Sequence, residues 1–307
     1  MPEPRWHILG AGAIGCLVAS ALSRAGGQAT VLVRPGEVTG PRTLIVDHEG
    51  RQSRELVDTQ TAQGAGVIKN LLVTTKAYDA LDAIASIGSR LADGCTIMLL
   101  LNGMGIAEQV AEAHPTAQLL AGTTTEGAYR VAPLHIEHAG RGETRIGYLG
   151  PGGKESTSHR SREAPDWFDV WQDSQLACDW DADIEAALWS KLAINCVINP
   201  LTALHRCRNG ELSTRPALAD EVALLCREVQ QVSYAAGFTK TAQELERIVA
   251  SVIERTAQNR SSMLEDVERA RPTEIDYITG YLLQVADRHG IVAPRNRELY
   301  GRIRDLV

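Results

Sequence analysis

The stretch Trp6-His7-Ile8-Leu9-Gly10-Ala11-Gly12-Ala13-Ile14-Gly15-Cys16-Leu17-Val18-Ala19-Ser20-Ala21-Leu22 decides how this chain is read. A short apolar run reads as a strand, a Gly-x-Gly-x-x-Gly spacing makes a tight turn, and a longer apolar run follows as a helix. Strand, glycine turn and helix in that order are the context that a dinucleotide-binding fingerprint requires. Gly10 permits the turn, Gly12 lets a pyrophosphate approach the backbone, and Gly15 lets helix and strand pack closely. The helix N-terminus adds N–H donors and positive potential. Gly10, Ala11, Gly12, Ala13, Ile14 and Gly15 are therefore the first candidate cofactor-binding residues.

Working outward, Gly26-Gly27 stops that helix and Ala29–Val33 reads as a second buried strand. Leu71–Thr75 and Thr96–Leu101 read as two more, with a helix from Ala80 to Leu91 between them. Strand and helix alternate, which predicts a Rossmann-like, doubly wound parallel sheet. Leu119–Leu149 reads as short strands added at the edge of that sheet, and Gly150–Pro165 as a surface loop. A short helix at about Asp166–Gln175 and a strand close the domain. From Ile184 the reading is helical: Ile184–Leu204, Pro216–Ala236, Ala242–Gln258, Ser262–Ala270 and Glu274–His289. The expected division is residues 1–180 as a nucleotide-binding domain and 181–307 as an all-helical substrate domain.

The 307 residues carry a net charge of −7, with 44% hydrophobic residues, 22% charged and only 5% aromatic. Two domains suit that length, and cores of Leu, Val, Ile and Ala suit that composition. No Lys/Arg run offers a phosphate-backbone footprint, so no nucleic-acid partner is expected. The uncharged runs Cys95–Ala107 and Leu192–Leu204 fall short of the roughly 18 apolar residues of a membrane span. The N-terminal Met1-Pro2-Glu3-Pro4-Arg5 does not start a secretion signal. Six scattered cysteines form no CxxC, and His135 and His138 lack an evident third ligand. Free thiols, no metal and a cytoplasmic location are the expectation.

Polar residues at strand ends come next, because ligands of a doubly wound sheet bind there. Arg34 stands at the end of the second strand, where a carboxylate would favour NAD; an arginine suits a 2′-phosphate instead. Lys76 and Asn102 follow the next two strands. In the helical half, Lys191, Asn195 and Asn199 are spaced i, i+4, i+8 and share one face of an apolar helix. A buried face holding an ammonium and two amides needs something to bond. Pro200 predicts a kink or break near Asn199. Ser262 reads as the N-cap of a capping box with Glu265, and Glu274 as a first-turn carboxylate of the next helix.

Together these residues resemble the ketopantoate reductase (2-dehydropantoate 2-reductase) family over nearly the whole chain. The carriers are Gly10–Gly15, Thr75–Tyr78, Leu101–Gly105, Gly122–Thr125, Leu188–Thr202, Asn209–Leu212, Ser261–Leu264 and Thr273–Tyr277. The resemblance implies reduction of 2-dehydropantoate to (R)-pantoate with NADPH, on a pathway to pantothenate, by a monomer or a homodimer. It implies Lys191 as general acid, with Glu274 orienting cofactor and substrate. Asn195, Asn199, Asn209, and Asn259 to Ser262 match substrate positions, with Ser262 on the carboxylate. Arg34, Lys76, Asn102 and Ala128 match cofactor contacts. The chain departs from the family's pattern at Tyr78-Asp79, at Glu126-Gly127 and at His205–Arg208, which bears on substrate tuning rather than reaction class. A reductase of another branched 2-oxoacid, or a non-catalytic NADP(H) sensor, would share parts of this pattern. A sensor has no need of Lys191, Asn195, Ser262 and Glu274 together.

Overall fold

The computed structural model describes residues 5–150 and 163–306. Most of the loop expected at Gly150–Pro165 lies outside them. The described chain forms two compact units, one comprising the residues up to Leu101 with Ile106–Ile184, the other Asn102–Gly105 with the residues from Glu185 on.

The first unit holds β1 (Arg5–Leu9), α1 (Ala13–Arg24), β2 (Gln28–Leu32), β3 (Gly40–His48), β4 (Arg51–Gln60), β5 (Ile68–Val73), α2 (Ala77–Ser86), β6 (Leu91–Leu99), α3 (Ile106–Ala113), β7 (Gln118–Thr124), β8 (Gly127–Ala132), β9 (His135–Gly140), β10 (Glu143–Tyr148), α4 (Asp169–Gln172) and β11 (Ala177–Trp180). The strands form one eleven-stranded sheet in the order β11-β10-β7-β6-β5-β1-β2-β4-β3-β9-β8. The six strands from β7 to β4 are parallel, and β1 is the point from which the chain winds both ways. Trp6, His7, Ile8 and Leu9 are all buried, as a central strand covered on both faces requires. The antiparallel additions lie at both edges: β10 beside β7, and β3 with β8 and β9 at the other. The sheet curls so that α1 touches β2, β4, β8 and β9, and α1 is buried from Gly15 to Leu22.

Several details differ from the sequence reading. The hairpin β3–β4 was not foreseen. Its two-residue turn is Glu49-Gly50, both with positive φ (48° and 75°), the geometry a tight hairpin needs. The core is also less purely aliphatic than the composition implies. Of the chain's five tryptophans, Trp6, Trp167, Trp171 and Trp180 gather with Phe168 and Tyr148 in edge-on contacts.

The second unit is helical: α5 (Ile184–His205), α6 (Glu211–Thr214), α7 (Pro216–Ala235), α8 (Thr239–Arg255), α9 (Ser262–Glu268), α10 (Thr279–Arg288) and α11 (Pro294–Arg304). Its core packs Leu192, Val197 and Leu201 of α5 against Val229, Leu245, Leu282 and Ile303. Of the kink or break expected near Asn199, the break is absent, because α5 runs through Pro200 as one 22-residue helix. An interior proline costs about 3 kcal/mol, but Val197, Ile198 and Leu201 are buried on either side of it, and tertiary packing outweighs that cost. α10 begins at Thr279, five residues later than expected, since Glu274–Ile278 form turns in which Tyr277 N and Ile278 N donate to Glu274 O at 3.1 Å each. Glu274 is therefore not a first-turn helix residue. No helix of the described residues is long and apolar enough to cross a membrane.

Candidate active site

The glycine turn joins β1 to α1 in the first unit. Gly10 has φ +115°, and a Cβ on it would meet the Thr74 carbonyl carbon and Thr75 N at 2.8 Å. A Cβ on Gly15 would lie 2.1 Å from Gly10 O and 2.5 Å from Thr74 Oγ1. Both positions are closed by the protein itself. Thr74 Oγ1 donates to Gly10 O at 2.9 Å, which pins the turn to the end of β5. Gly12 differs: a Cβ there meets nothing within 4 Å. As N-cap of α1 it has no side-chain cap, and the first turn holds no acidic residue. The donors of that turn are thus left for an outside acceptor. Thr75 Oγ1, next to the turn, is buried with no hydrogen-bond partner among the described residues. This open, donor-lined cradle fits a dinucleotide pyrophosphate.

Ala11, Ala13 and Ile14 are half-buried and pack on the core of this unit. Arg34 follows β2 and is exposed, and the chain beside it is held by Val33 N donating to Gln60 O at 2.8 Å. Lys76 is the N-cap of α2, in extended conformation. Ala128 lies on β8, paired with His138 of β9. The departure at Glu126 has a clear local setting. Its carboxylate side chain is only 4% exposed, and His138 Nε2 lies 2.6 Å from Glu126 Oε2. His135 Nε2 sits 2.6 Å from Asp47 Oδ2, so both histidines are engaged with carboxylates. All six cysteines are free and buried.

The second unit carries a different kind of site. Asn102-Gly103-Met104-Gly105 belongs to it, although its chain neighbours on both sides belong to the first. Met104 N donates to Tyr277 O at 2.9 Å. A Cβ on Gly103 (φ +84°) would lie 2.5 Å from the same Tyr277 O, so only glycine fits this approach. Asn102 Nδ2 donates to Glu274 Oε2 at 3.3 Å. Glu274 is 4% exposed, and its charge acts on Lys191 of α5. Desolvation pushes the Lys191 ammonium down from 10.5 to about 8, and Glu274 opposes that fall. The structure therefore brings Lys191, Glu274 and Asn102 together. Asn195 is half-buried and Asn199 buried, on the face the spacing predicted.

Asn209 and Asn259 meet in two facing loops. Asn209 N donates to Asn259 O at 3.1 Å, and Gly210 N to Ala257 O at 3.0 Å. Arg208 Nη1 donates to Gln258 O at 2.6 Å, which engages the extra positive charge noted in this stretch. Asn209 Nδ2 donates to Thr256 Oγ1 at 2.8 Å, while its Oδ1 is buried without a partner among the described residues.

The capping assignment at α9 requires correction. Ser261, not Ser262, is the N-cap: its Oγ accepts from Leu264 N at 3.1 Å. Ser262 is the first helical residue and is exposed, and Glu265 pairs with Arg260 and Arg269 instead of closing a capping box. Ser261 Oγ also lies 2.7 Å from Thr202 Oγ1 on α5. The sequence reading assigned no role to Thr202 and placed Ser261 only within the Asn259–Ser262 substrate stretch. Thr202 stands eleven residues after Lys191, so it extends the i, i+4, i+8 face by one more helical step.

Residues 6–151 match the family described as ketopantoate reductase PanE/ApbA, and residues 183–307 match the one described as ketopantoate reductase PanE/ApbA C terminal. The chain is 35% identical to the 2-dehydropantoate 2-reductase of Vibrio cholerae, over 97% of this chain and 96% of that one. A solved structure, the probable 2-dehydropantoate 2-reductase panE of Bacillus subtilis, matches with a TM-score of 0.79 at 28% identity, covering 99% of this chain and 100% of that one. The ternary structure of D-mandelate dehydrogenase with NADH and anilino(oxo)acetate matches with a TM-score of 0.83 at 21% identity, covering 99% and 98%. At that identity the likeness concerns the fold alone.

Proposed function

This chain belongs to the ketopantoate reductase PanE/ApbA family, and on that premise we propose that it reduces 2-dehydropantoate to (R)-pantoate with NADPH, as a cytoplasmic enzyme of pantothenate synthesis. The observation that carries the reading is Lys191: an ammonium pushed down to about 8 by desolvation, beside a buried carboxylate and on one face with two amides. A lysine so placed is still mostly protonated at neutral pH, yet it releases its proton more readily than an exposed one. Lys191 Nζ holds the proton that passes to the ketone oxygen. Before transfer it polarises the carbonyl and stabilises the developing alkoxide. When bound, NADPH supplies the hydride for the adjacent carbon.

Glu274 keeps Lys191 charged, and Asn102 holds the Glu274 carboxylate. Asn195, Asn199, Asn209 and Asn259 supply amides to the substrate, and Ser262 a hydroxyl to its carboxylate. The unpartnered Asn209 Oδ1 supports this assignment, since it suits a hydroxyl donor. In our reading residues 1–180 hold the cofactor through Gly10–Gly15, Arg34, Lys76 and Ala128. Residues 181–307 carry the chemistry, with Asn102 and Glu274 also touching the cofactor. The preference for NADPH rests on Arg34, whose guanidinium can take a 2′-phosphate.

The test is a panel of initial rates, with 2-dehydropantoate and other branched 2-oxoacids against NADPH and NADH. The highest kcat/KM is expected for 2-dehydropantoate with NADPH. A higher value with another branched 2-oxoacid moves the substrate assignment. If no 2-oxoacid supports cofactor oxidation, the reading is wrong.

A further inference from the structure

Thr202 belongs to no role described so far, and Ser261 only caps α9 within the Asn259–Ser262 stretch, yet the two form a hydroxyl pair that ties α5 to α9. Thr202 is fully buried and Ser261 is 6% exposed. Their oxygens are 2.7 Å apart, within a single O–H···O bond. Thr202 Oγ1 also lies 2.9 Å from Ile198 O and 3.0 Å from Asn199 O, so the hydroxyl bonds back into the turn of α5 that carries Asn199. On the other side, Ser261 Oγ accepts Leu264 N–H and so fixes the first turn of α9, where Ser262 is the first residue. The bonded path therefore runs from Asn199, through two buried hydroxyls, to the residue before Ser262.

From this geometry we infer that Thr202 and Ser261 are positioning residues that set the spacing between the Lys191–Asn199 face of α5 and the carboxylate-binding start of α9. The inference rests on the functional reading above and deepens it. The ketone and carboxylate carbons of a 2-oxoacid are bonded neighbours, so the groups that hold them have little freedom in their separation. A displacement of about 1 Å at such a site costs on the order of a hundredfold in rate. Apolar packing alone sets helix spacing less sharply than a short buried hydrogen bond between fixed rotamers. Valine has nearly the shape of threonine, but cannot make the bond and leaves the Ser261 hydroxyl without Thr202.

The experiment compares wild type with Thr202→Val, Thr202→Ser and Ser261→Gly, measuring KM for the oxoacid, KM for NADPH, kcat, calorimetric Kd for pantoate, and Tm. Glycine is tolerated at an N-cap at a cost of a few tenths of a kcal/mol, so Ser261→Gly removes the tie by a second route if Thr202→Val does not fold. Thr202→Val and Ser261→Gly should each raise the oxoacid KM and the pantoate Kd by about tenfold, leave the NADPH KM within about twofold, and Thr202→Ser should restore the wild-type values. An unchanged oxoacid KM in the folded variants, or an equal rise in both KM values, overturns the inference. Failure of the functional reading shows itself elsewhere: wild type would then neither turn over nor bind a 2-oxoacid, and the inference falls with it.

Discussion

In the sheet unit, the residues that fit a dinucleotide act through their backbone; in the helical unit, the candidate chemistry is carried by side chains, most of them buried or half-buried. Gly10 and Gly15 are fixed because the chain leaves no room for a Cβ, with Thr74 and Gly10 O at 2.1–2.9 Å. Lys191, Glu274 and Asn102 are fixed by charge and hydrogen bonding within an apolar surround. A backbone site fails by steric exclusion, and its donors persist whatever the side chains do. A side-chain site fails by losing one group, which leaves its buried partner uncompensated. The two halves should therefore respond to substitution in different observables.

The largest effect is expected from Lys191→Ala. Removal of the proposed general acid should lower kcat by about 10²- to 10⁴-fold, while the NADPH Kd stays within a few-fold. Single-turnover rates and fluorescence titration separate the two. A variant with near wild-type kcat removes Lys191 from its role and erases the contrast between the units.

Next in size is Arg34→Ala. A charge-assisted, bidentate contact to a 2′-phosphate is worth about 1.5–3 kcal/mol, so the NADPH KM should rise by roughly 10- to 100-fold, and the NADH KM should change little. Parallel rises for both cofactors would mean that Arg34 does not read the phosphate. This residue is the exception in the sheet unit, a side chain added to a backbone site, and it should affect cofactor choice rather than fold.

How much of this was legible in the sequence follows from the same contrast. The turn at Gly10–Gly15 was readable because local sterics dictate it; β1 and β2 lie within one residue of their expected bounds, and α1 begins three residues earlier, inside the glycine motif. The hairpin β3–β4 was not, since Thr43, Arg51, Arg54 and Leu56 face water and only Leu44, Val46, Val57 and Thr59 are buried, so no apolar run longer than Leu44-Ile45-Val46 marks it. Lys191, Asn195 and Asn199 were legible as a polar stripe on an apolar helix. The bond from Asn102 to Glu274 spans 172 positions and the tie from Thr202 to Ser261 spans 59, and local pattern holds no record of either. The N-cap of α9 was misplaced by one residue because Ser261 and Ser262 are the same amino acid, and only the backbone selects between them.

The glycines give a sharper version of the contrast, within the sheet unit itself. Gly15→Ala places a Cβ 2.1 Å from Gly10 O. It should destabilise the fold by about 1–3 kcal/mol or more and lower Tm by several degrees. Gly12→Ala meets no protein atom within 4 Å and has φ −82°, so its one cost is alanine in place of glycine at an N-cap, and Tm should fall much less than for Gly15→Ala. Its methyl group would instead stand where the pyrophosphate approaches, and the NADPH Kd should rise by about tenfold, near 1.4 kcal/mol. Thermal melts beside cofactor titrations decide this. A Gly12→Ala protein that melts as early as Gly15→Ala, or binds NADPH as wild type does, contradicts the reading of an open cradle.

The smallest expected effect concerns the pair that makes the helical site a charged one. Lys191 is held near 8, below its ordinary 10.5, so kcat/KM should fall as pH rises through about 8 and the acid loses its proton. Stability moves the other way. Between about 8 and 10.5 the unfolded chain still binds this proton and the folded chain does not, so the Lys191 contribution to stability rises with pH across that window. Below it, both states are protonated and the folded state bears the full desolvation cost. Glu274 opposes the shift, so Glu274→Gln should move the inflection in kcat/KM to lower pH, whatever it does to the plateau rate. The profile, normalised to its own plateau, is the measurement. An inflection that stays in place or climbs would mean that Glu274 does not act on the Lys191 charge, and the helical site would then rest on desolvation alone.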